Sequence, residues 1–297
     1  MKISVIGGYG VGMTMRLDHS PNAGETVTGG VLSTGPGGKG SNQAIACARL
    51  GAEVSLLTAV GSDAAGDHAR ALWAAEGVDA SAVPTTPAAT MTGFILVDAT
   101  GENRIAIAPG ALDLLSVRDL DGFAEQIRAS DVLLVSLEIP IDVAVAALAL
   151  ARNAGVTTIL NPAPAAALPQ SVWASVDYLT PNATEAELLL AGTRDSAVTV
   201  VTTRGGLPTQ VDAPGGVSFS VDSIPVDSVV DTTGAGDAFS AAFAVAIAER
   251  RELTDAVRFA SAAGALAVGV AEVVPSLPHR AAIEEFLTHH SRKAELS

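Results

Sequence analysis

Along most of its 297 residues the chain alternates short runs of aliphatic and β-branched residues with longer stretches of helical period, and that alternation leaves few architectures open. Strand, helix and strand in steady succession close into a mostly parallel sheet, because parallel neighbours need a crossover and the crossover helices must cover both sheet faces. Strands are expected over 2–7, 53–59, 131–136, 157–160, 178–180 and 198–202. Helices are expected over 41–50, 65–76, 143–154, 185–190, 238–249, 254–268 and 280–289, where apolar residues recur every three to four positions. Two stretches break the pattern. Residues 26–34 and 92–108 (TGFILVDATGENRIAIA) read as strands with a turn at Ala99-Thr100-Gly101 and no helix behind them. Such segments pair with each other, so a small β-sheet lid from about 8–36 and 91–109 is expected on one doubly wound α/β domain covering 1–297.

Composition narrows what such a domain binds. Seventeen basic against 32 acidic residues give a net charge of −15, which argues against a nucleic-acid surface. A phosphate-bearing ligand must then be held by local N–H groups and metal rather than by a basic field. No apolar run reaches the roughly 18 residues of a membrane span, and the start MKISVIGG has no signal-peptide features, so a cytoplasmic place with no membrane partner is expected. The single Cys47, within SNQAIACARLG, reads as a small buried hydrophobe.

The strongest chemical signal is Asp231-Thr232-Thr233-Gly234-Ala235-Gly236-Asp237-Ala238-Phe239. The helical run SAAFAVAIAER completes it, so the N–H groups of Gly234, Ala235 and Gly236 should stand at a helix N-terminus, where anions bind. An acid at that place repels a resting anion. Asp237 makes sense there as a base that takes the proton of a hydroxyl attacking a phosphate, the bland alternative being that it caps its own helix.

Two further glycine clusters compete for a nucleotide reading. Gly7-Gly8-Tyr9-Gly10-Val11-Gly12 has Met13 where a dinucleotide fingerprint needs its third glycine. Gly35-Pro36-Gly37-Gly38-Lys39-Gly40 has the spacing, but no acid ends a second strand about 20 residues on, and Gly40 stands where a Walker loop needs Ser or Thr. Gly37, Gly38, Lys39 and Asn42 instead offer close backbone approach, a cation and an amide at a helix start, which suit a polyhydroxylated ligand.

Taken together these residues resemble the PfkB family of carbohydrate kinases, and within it the ribokinases, over nearly the whole chain. The resemblance is carried by Gly24-Glu25-Thr26-Val27, Gly37-Gly38-Lys39-Gly40-Ser41-Asn42-Gln43-Ala44, Gly101-Glu102-Asn103, Glu138, Asn161-Pro162-Ala163-Pro164, Thr180-Pro181-Asn182-Ala183-Thr184-Glu185-Ala186-Glu187 and Asp231 to Phe239. It implies a ribokinase-like fold and transfer of the ATP γ-phosphoryl to a primary alcohol of a sugar. Asp237 matches the family's base, and Gly234, Ala235 and Gly236 match its anion hole. Gly37, Gly38, Lys39, Asn42 and Glu138 match sugar-binding positions. Asn182 and Glu185 match the N-x-x-E motif linked to phosphate and Mg²⁺, with Glu185 holding the metal through water; on spacing alone Glu185 is a first-turn acid favoured by the helix dipole. Thr202, Arg204 and Gly205 fall where the family has a Thr-x-Gly-x-x-Gly turn near the nucleotide phosphates, altered here to Thr202-Thr203-Arg204-Gly205-Gly206, with Gly236 also assigned to ATP. Arg204 there reads equally as a surface residue. Ser261 stands where a longer polar residue often meets adenine. Asp231 and Thr233, with Ala267, Val270, Glu272 and Ser276, fall where ribokinases hold a monovalent cation, usually K⁺.

The departures bear on the acceptor. Ungapped alignment from Gly24 puts Gly10 and Gly12 where ribokinases carry an Asn and an Asp that grip sugar hydroxyls. Losing a buried carboxylate costs discrimination, and the glycines are expected to free volume. Ribose is the first expected acceptor, with a nucleoside or another sugar-bearing metabolite as competitor. Glu272 replaces an expected glycine. After Glu187 the run LLLAGTRDSAVTVVTT passes almost directly from helix to strand where the family adds a helix, which leaves one sheet face thinly covered or covered by a partner subunit. A sugar-binding regulator without catalysis is the reading of another class, prompted by Gly10 and Gly12 and countered by the retained Asp237. Exposed lid strands are edges that need pairing, so a homodimer through the lid is expected.

Overall fold

The structure is a computed structural model that describes residues 1–190 and 197–295. Among these, nine strands form the main sheet in the spatial order Val217–Val221, Leu207–Ala213, Thr199–Arg204, Tyr178–Leu179, Thr157–Asn161, Val132–Ser136, Lys2–Ile6, Glu53–Leu57 and Val78–Asp79. From Thr199–Arg204 onward every pairing is parallel. The central strands are apolar at consecutive positions because both of their faces are covered. Ile3, Val5, Val132 and Leu134 belong to one core, whereas Ile6, Leu133 and Val135 belong to the other. The first core lies under the helices Lys39–Arg49, Ala64–Ala75, Ala235–Ala248 and Leu253–Ala267, and the second under Ile141–Asn153. Alanine lets the helices approach closely: ten successive residues of Ala235–Ala248, Asp237 to Ala246, are buried.

The strands Leu207–Ala213 and Val217–Val221 have no counterpart among the expected ones. They pair antiparallel at the sheet edge and are half-exposed, so they lack the continuous apolar run that marks a central strand. The helix expected over 280–289 runs on as Arg280–Glu295. Of the segment after Glu187, residues 191–196 lie outside the described residues. No helix among the described residues is long and apolar enough to cross a membrane.

A separate four-stranded sheet has the order Val31–Gly37, Gly10–Arg16, Met91–Val97, Asn103–Ala108. The strand expected over 26–34 lies later, at Val31–Gly37, and the expected 92–108 segment divides around a turn in which Asp98 Oδ1 accepts the Thr100 and Glu102 amides at 2.9 and 3.1 Å. Register sets Gly35, Gly12 and Gly93 side by side across three of these strands. The sheet is tied to the main body at its root. Asp63, the N-cap of Ala64–Ala75, accepts the Gly66 amide at 2.9 Å and both the amide and hydroxyl of Thr90 at 2.8 and 2.6 Å, directly before Met91–Val97.

Candidate active site

The chemistry gathers at the carboxyl ends of the central strands, where ligands of open α/β sheets bind. The helix Lys39–Arg49 starts against the end of the first strand. Gly38, at φ 92°, is its N-cap, and a Cβ there would lie 2.5 Å from Tyr9 Cα. At Gly40 a Cβ would collide with the main chain of Gly7. Only glycine allows this approach, which delivers Lys39, Asn42 and Gln43 to the site. Glu138, just beyond Val132–Ser136, accepts the Lys39 amide at 2.6 Å, and a Cβ on Gly8 would lie 2.6 Å from its carboxylate.

Asp237 lies in the first turn of Ala235–Ala248, whose N-cap is Gly234 at φ 84°. Its carboxylate does not cap that helix. It is buried, with Oδ2 accepting from Asn42 Nδ2 at 2.8 Å and Oδ1 from Gln43 Nε2 at 3.0 Å. Gln43 Nε2 also reaches Asn161 Oδ1 at 3.1 Å, and Asn161 Nδ2 donates to the Thr180 carbonyl at 2.9 Å. Gln43 and Asn161 lie inside quoted motifs but were not among the expected site residues. The signal that marks them is burial of an amide, and burial is invisible until the elements meet.

Charge is concentrated here. Burial pushes the Asp237 carboxyl up, against the Lys39 charge and the Asn42 and Gln43 donors. For Lys39, burial disfavours the ammonium, but Asp237, Glu138 and Glu185 together outweigh it and hold its pKa above the usual value. Glu138 is pushed up to about 7, by burial first and by Asp237 as well, with Lys39 opposing. Lys39 therefore stays charged among three acids contributed by different parts of the chain.

Asn182 and Glu185 bond reciprocally: Asn182 N to Glu185 Oε2 at 2.8 Å and Glu185 N to Asn182 Oδ1 at 2.9 Å. This capping box satisfies the helix Ala183–Leu190, while the Glu185 charge still reaches Lys39. A cavity of about 250 Å³ opens beside it, lined in part by Thr203, Gly205, Gly236, Ser261 and Val268. Ser261 Oγ is buried there without a partner. Thr202 and Arg204 do not line this cavity; Arg204 Nε is turned onto the Pro208 carbonyl at 2.7 Å.

The loops around Asp231 and Glu272 meet. Asp231 Oδ1 accepts the Thr233 amide at 2.9 Å and Oδ2 the Glu272 amide at 3.3 Å, while Ser276 Oγ bonds the Val273 carbonyl. The Ala267 carbonyl accepts from Val270 N at 3.3 Å. Glu272 adopts φ 65°, ψ 154°, a conformation that explains why glycine is expected there. At the lid the freed volume is not uniform. A Cβ on Gly10 would lie 2.5 Å from Met91 Cε and 2.7 Å from the Met91 carbonyl, so methionine fills that space. At Gly12 the nearest atom is Ile95 Cδ1, 3.7 Å away. The expectation of room at both glycines holds at Gly12 and is corrected at Gly10.

A parallel sheet that places a buried acid in the first turn of a helix, with a cluster of polar and charged side chains around it and an open cavity at the helix start, defines a kinase of the ribokinase-like fold. The family pattern described as pfkB family carbohydrate kinase matches residues 9–280, and the chain belongs to that family. The ribokinase of Haemophilus influenzae is 36% identical over 304 residues, covering 97% of this chain and 98% of its own. That of Bacillus subtilis is 37% identical over 293 residues, covering 96% and 99%. The ribokinase of Arabidopsis thaliana, solved with ribose and ATP, superposes with a TM-score of 0.88 at 28% identity over 96% of this chain and 98% of that chain.

Proposed function

We propose that the chain phosphorylates the primary hydroxyl of a sugar at the expense of ATP, with ribose as the first acceptor and a nucleoside or another sugar-bearing metabolite as its competitor. The observation that carries the reading is the buried Asp237 carboxylate, held by Asn42 and Gln43 in the first turn of a helix whose N-terminus has no side-chain cap. The acceptor oxygen bonds to the γ-phosphorus as the bond from phosphorus to the β-phosphate oxygen breaks, and the hydroxyl proton passes to Asp237. The amides of Gly234, Ala235 and Gly236 stabilise charge on the transferred group. Lys39, Asn42 and Glu138 hold the sugar with the glycine turn Gly37-Gly38, and Gly10 and Gly12 face it from the lid. The cavity beside Gly205 and Ser261 takes the nucleotide, with the short Ser261 side chain where a longer polar residue would meet the base.

Mg²⁺ would be held by Glu185 through water together with phosphate oxygens. A monovalent cation such as K⁺ would be held by oxygens of Asp231, Thr233, Ala267, Val270, Glu272 and Ser276, at the loop joined to the helix start. The chain is further read as a homodimer through the lid, on which Leu32, Phe94, Ile105 and Ile107 are each more than half exposed.

ATP turnover across pentoses, hexoses and nucleosides tests the reading. Asp237→Asn is expected to lower kcat about 10²–10⁴-fold, the worth of a positioned base. Intact turnover in that variant would refute the assignment, and turnover of no sugar would favour the sugar-binding regulator.

A further inference from the structure

We propose that Gln43 is a positioning residue for Asp237: its carboxamide fixes the rotation of the carboxylate that receives the acceptor proton. The inference rests on Asp237 being the base, and Gln43 acts only through it.

Gln43 is fully buried, and its Nε2 serves two acceptors on two other elements, Asp237 Oδ1 at 3.0 Å and Asn161 Oδ1 at 3.1 Å. The reversed amide would set its oxygen against both of those oxygens, so the orientation is dictated. That orientation is costly, because Gln43 Oε1 has no partner, and neither has Asn42 Oδ1. A buried polar atom left without a bond weakens the fold. Two adjacent residues thus turn their donors onto one carboxylate and leave their own oxygens unbonded. Local stability given up in this way belongs at a site that performs chemistry.

The far end of the relay is rigid. Asn161 ends the strand Thr157–Asn161 and donates to the Thr180 carbonyl, and Thr180 Oγ1 meets Ser240 Oγ at 3.1 Å, one turn beyond Asp237 on the same helix. Asp237 is therefore oriented from the helix Lys39–Arg49, braced on the sheet through Gln43 and Asn161, rather than from its own helix. Both donors also favour the ionised carboxylate, against the burial that favours its protonated form.

Gln43→Met keeps length and removes the Nε2 donor from Asp237 and Asn161, leaving Asn42 in place. Carbon-13 NMR of the aspartate carboxyls in the protein without substrates is expected to show the Asp237 midpoint raised by about one pH unit. In turnover, kcat at neutral pH is expected to fall about 10²-fold, the penalty of a misaligned group, with the KM values for sugar and ATP within about threefold of wild type. The acid limb of kcat moves up with the NMR midpoint. Asn161→Ala loosens the same amide from behind and is expected to shift both readouts in the same direction by less; it carries the test if Gln43→Met does not fold. An unmoved Asp237 midpoint, or a fall in kcat with the acid limb in place, overturns the proposal. If the wild-type chain phosphorylates no sugar, the proposed function fails, and the NMR titration still decides whether Gln43 governs Asp237.

Discussion

Glu138 sits between the opposite charges of Lys39 and Asp237, and its titration should be visible in stability. Its pKa rises from an ordinary 4.5 to about 7 on folding. Between these values the native state binds the proton and the unfolded chain does not, so this group's contribution is present below about pH 4.5 and lost as pH rises through 7. The thermal midpoint of Glu138→Gln, followed from pH 4.5 to 7.5, is expected to lack that decline; parallel curves for variant and wild type would show that Glu138 titrates elsewhere. Glu272 offers a second residue-level test. A non-glycine residue at φ 65°, ψ 154° carries strain of about 1–3 kcal/mol, so Glu272→Gly should stabilise the chain by about 1 kcal/mol in urea unfolding, once the added freedom of the unfolded glycine is deducted. A loss of stability would mean that the surrounding loops, and not the residue, impose that conformation. The unusual Glu272 was legible in the sequence because glycine was expected there. The Gln43 amide was not, since its role depends on acceptors 118 and 194 positions away.

At the scale of elements, the site depends on how closely the helix Lys39–Arg49 meets the first strand. Ala is ordinarily the better helix former by about 1 kcal/mol. Gly40→Ala is nevertheless expected to destabilise the chain by about 1–3 kcal/mol and to raise the sugar KM, because the added methyl meets Gly7 main chain and must push Lys39 and Asn42 away. Calorimetry and steady-state kinetics check both, and an unchanged KM would separate the contact from the site. Central elements were readable because burial on both faces leaves a continuous apolar signature, as in Lys2–Ile6 and Val132–Ser136. The edge strands Leu207–Ala213 and Val217–Val221 lack that signature. The early lid strand Gly10–Arg16 was obscured by the glycines that make its surface bare, since a strand is recognised by side chains that glycine does not have.

For the whole molecule, the exposed lid predicts association. Sedimentation at micromolar concentration is expected to give twice the 29.8 kDa chain mass, and Phe94→Glu is expected to return the monomer; a monomeric wild type would refute pairing through the lid. Gly10 and its neighbour Met91 also constrain the route by which this protein could change. Reinstating the amide that ribokinases carry at position 10 is blocked twice over, by the methionine thioether and by the carbonyl of the adjacent strand. Position 12 carries no such obstacle. A polar grip on the acceptor is therefore within reach of a single substitution at Gly12, while at Gly10 it waits on Met91 and the strand beside it to move.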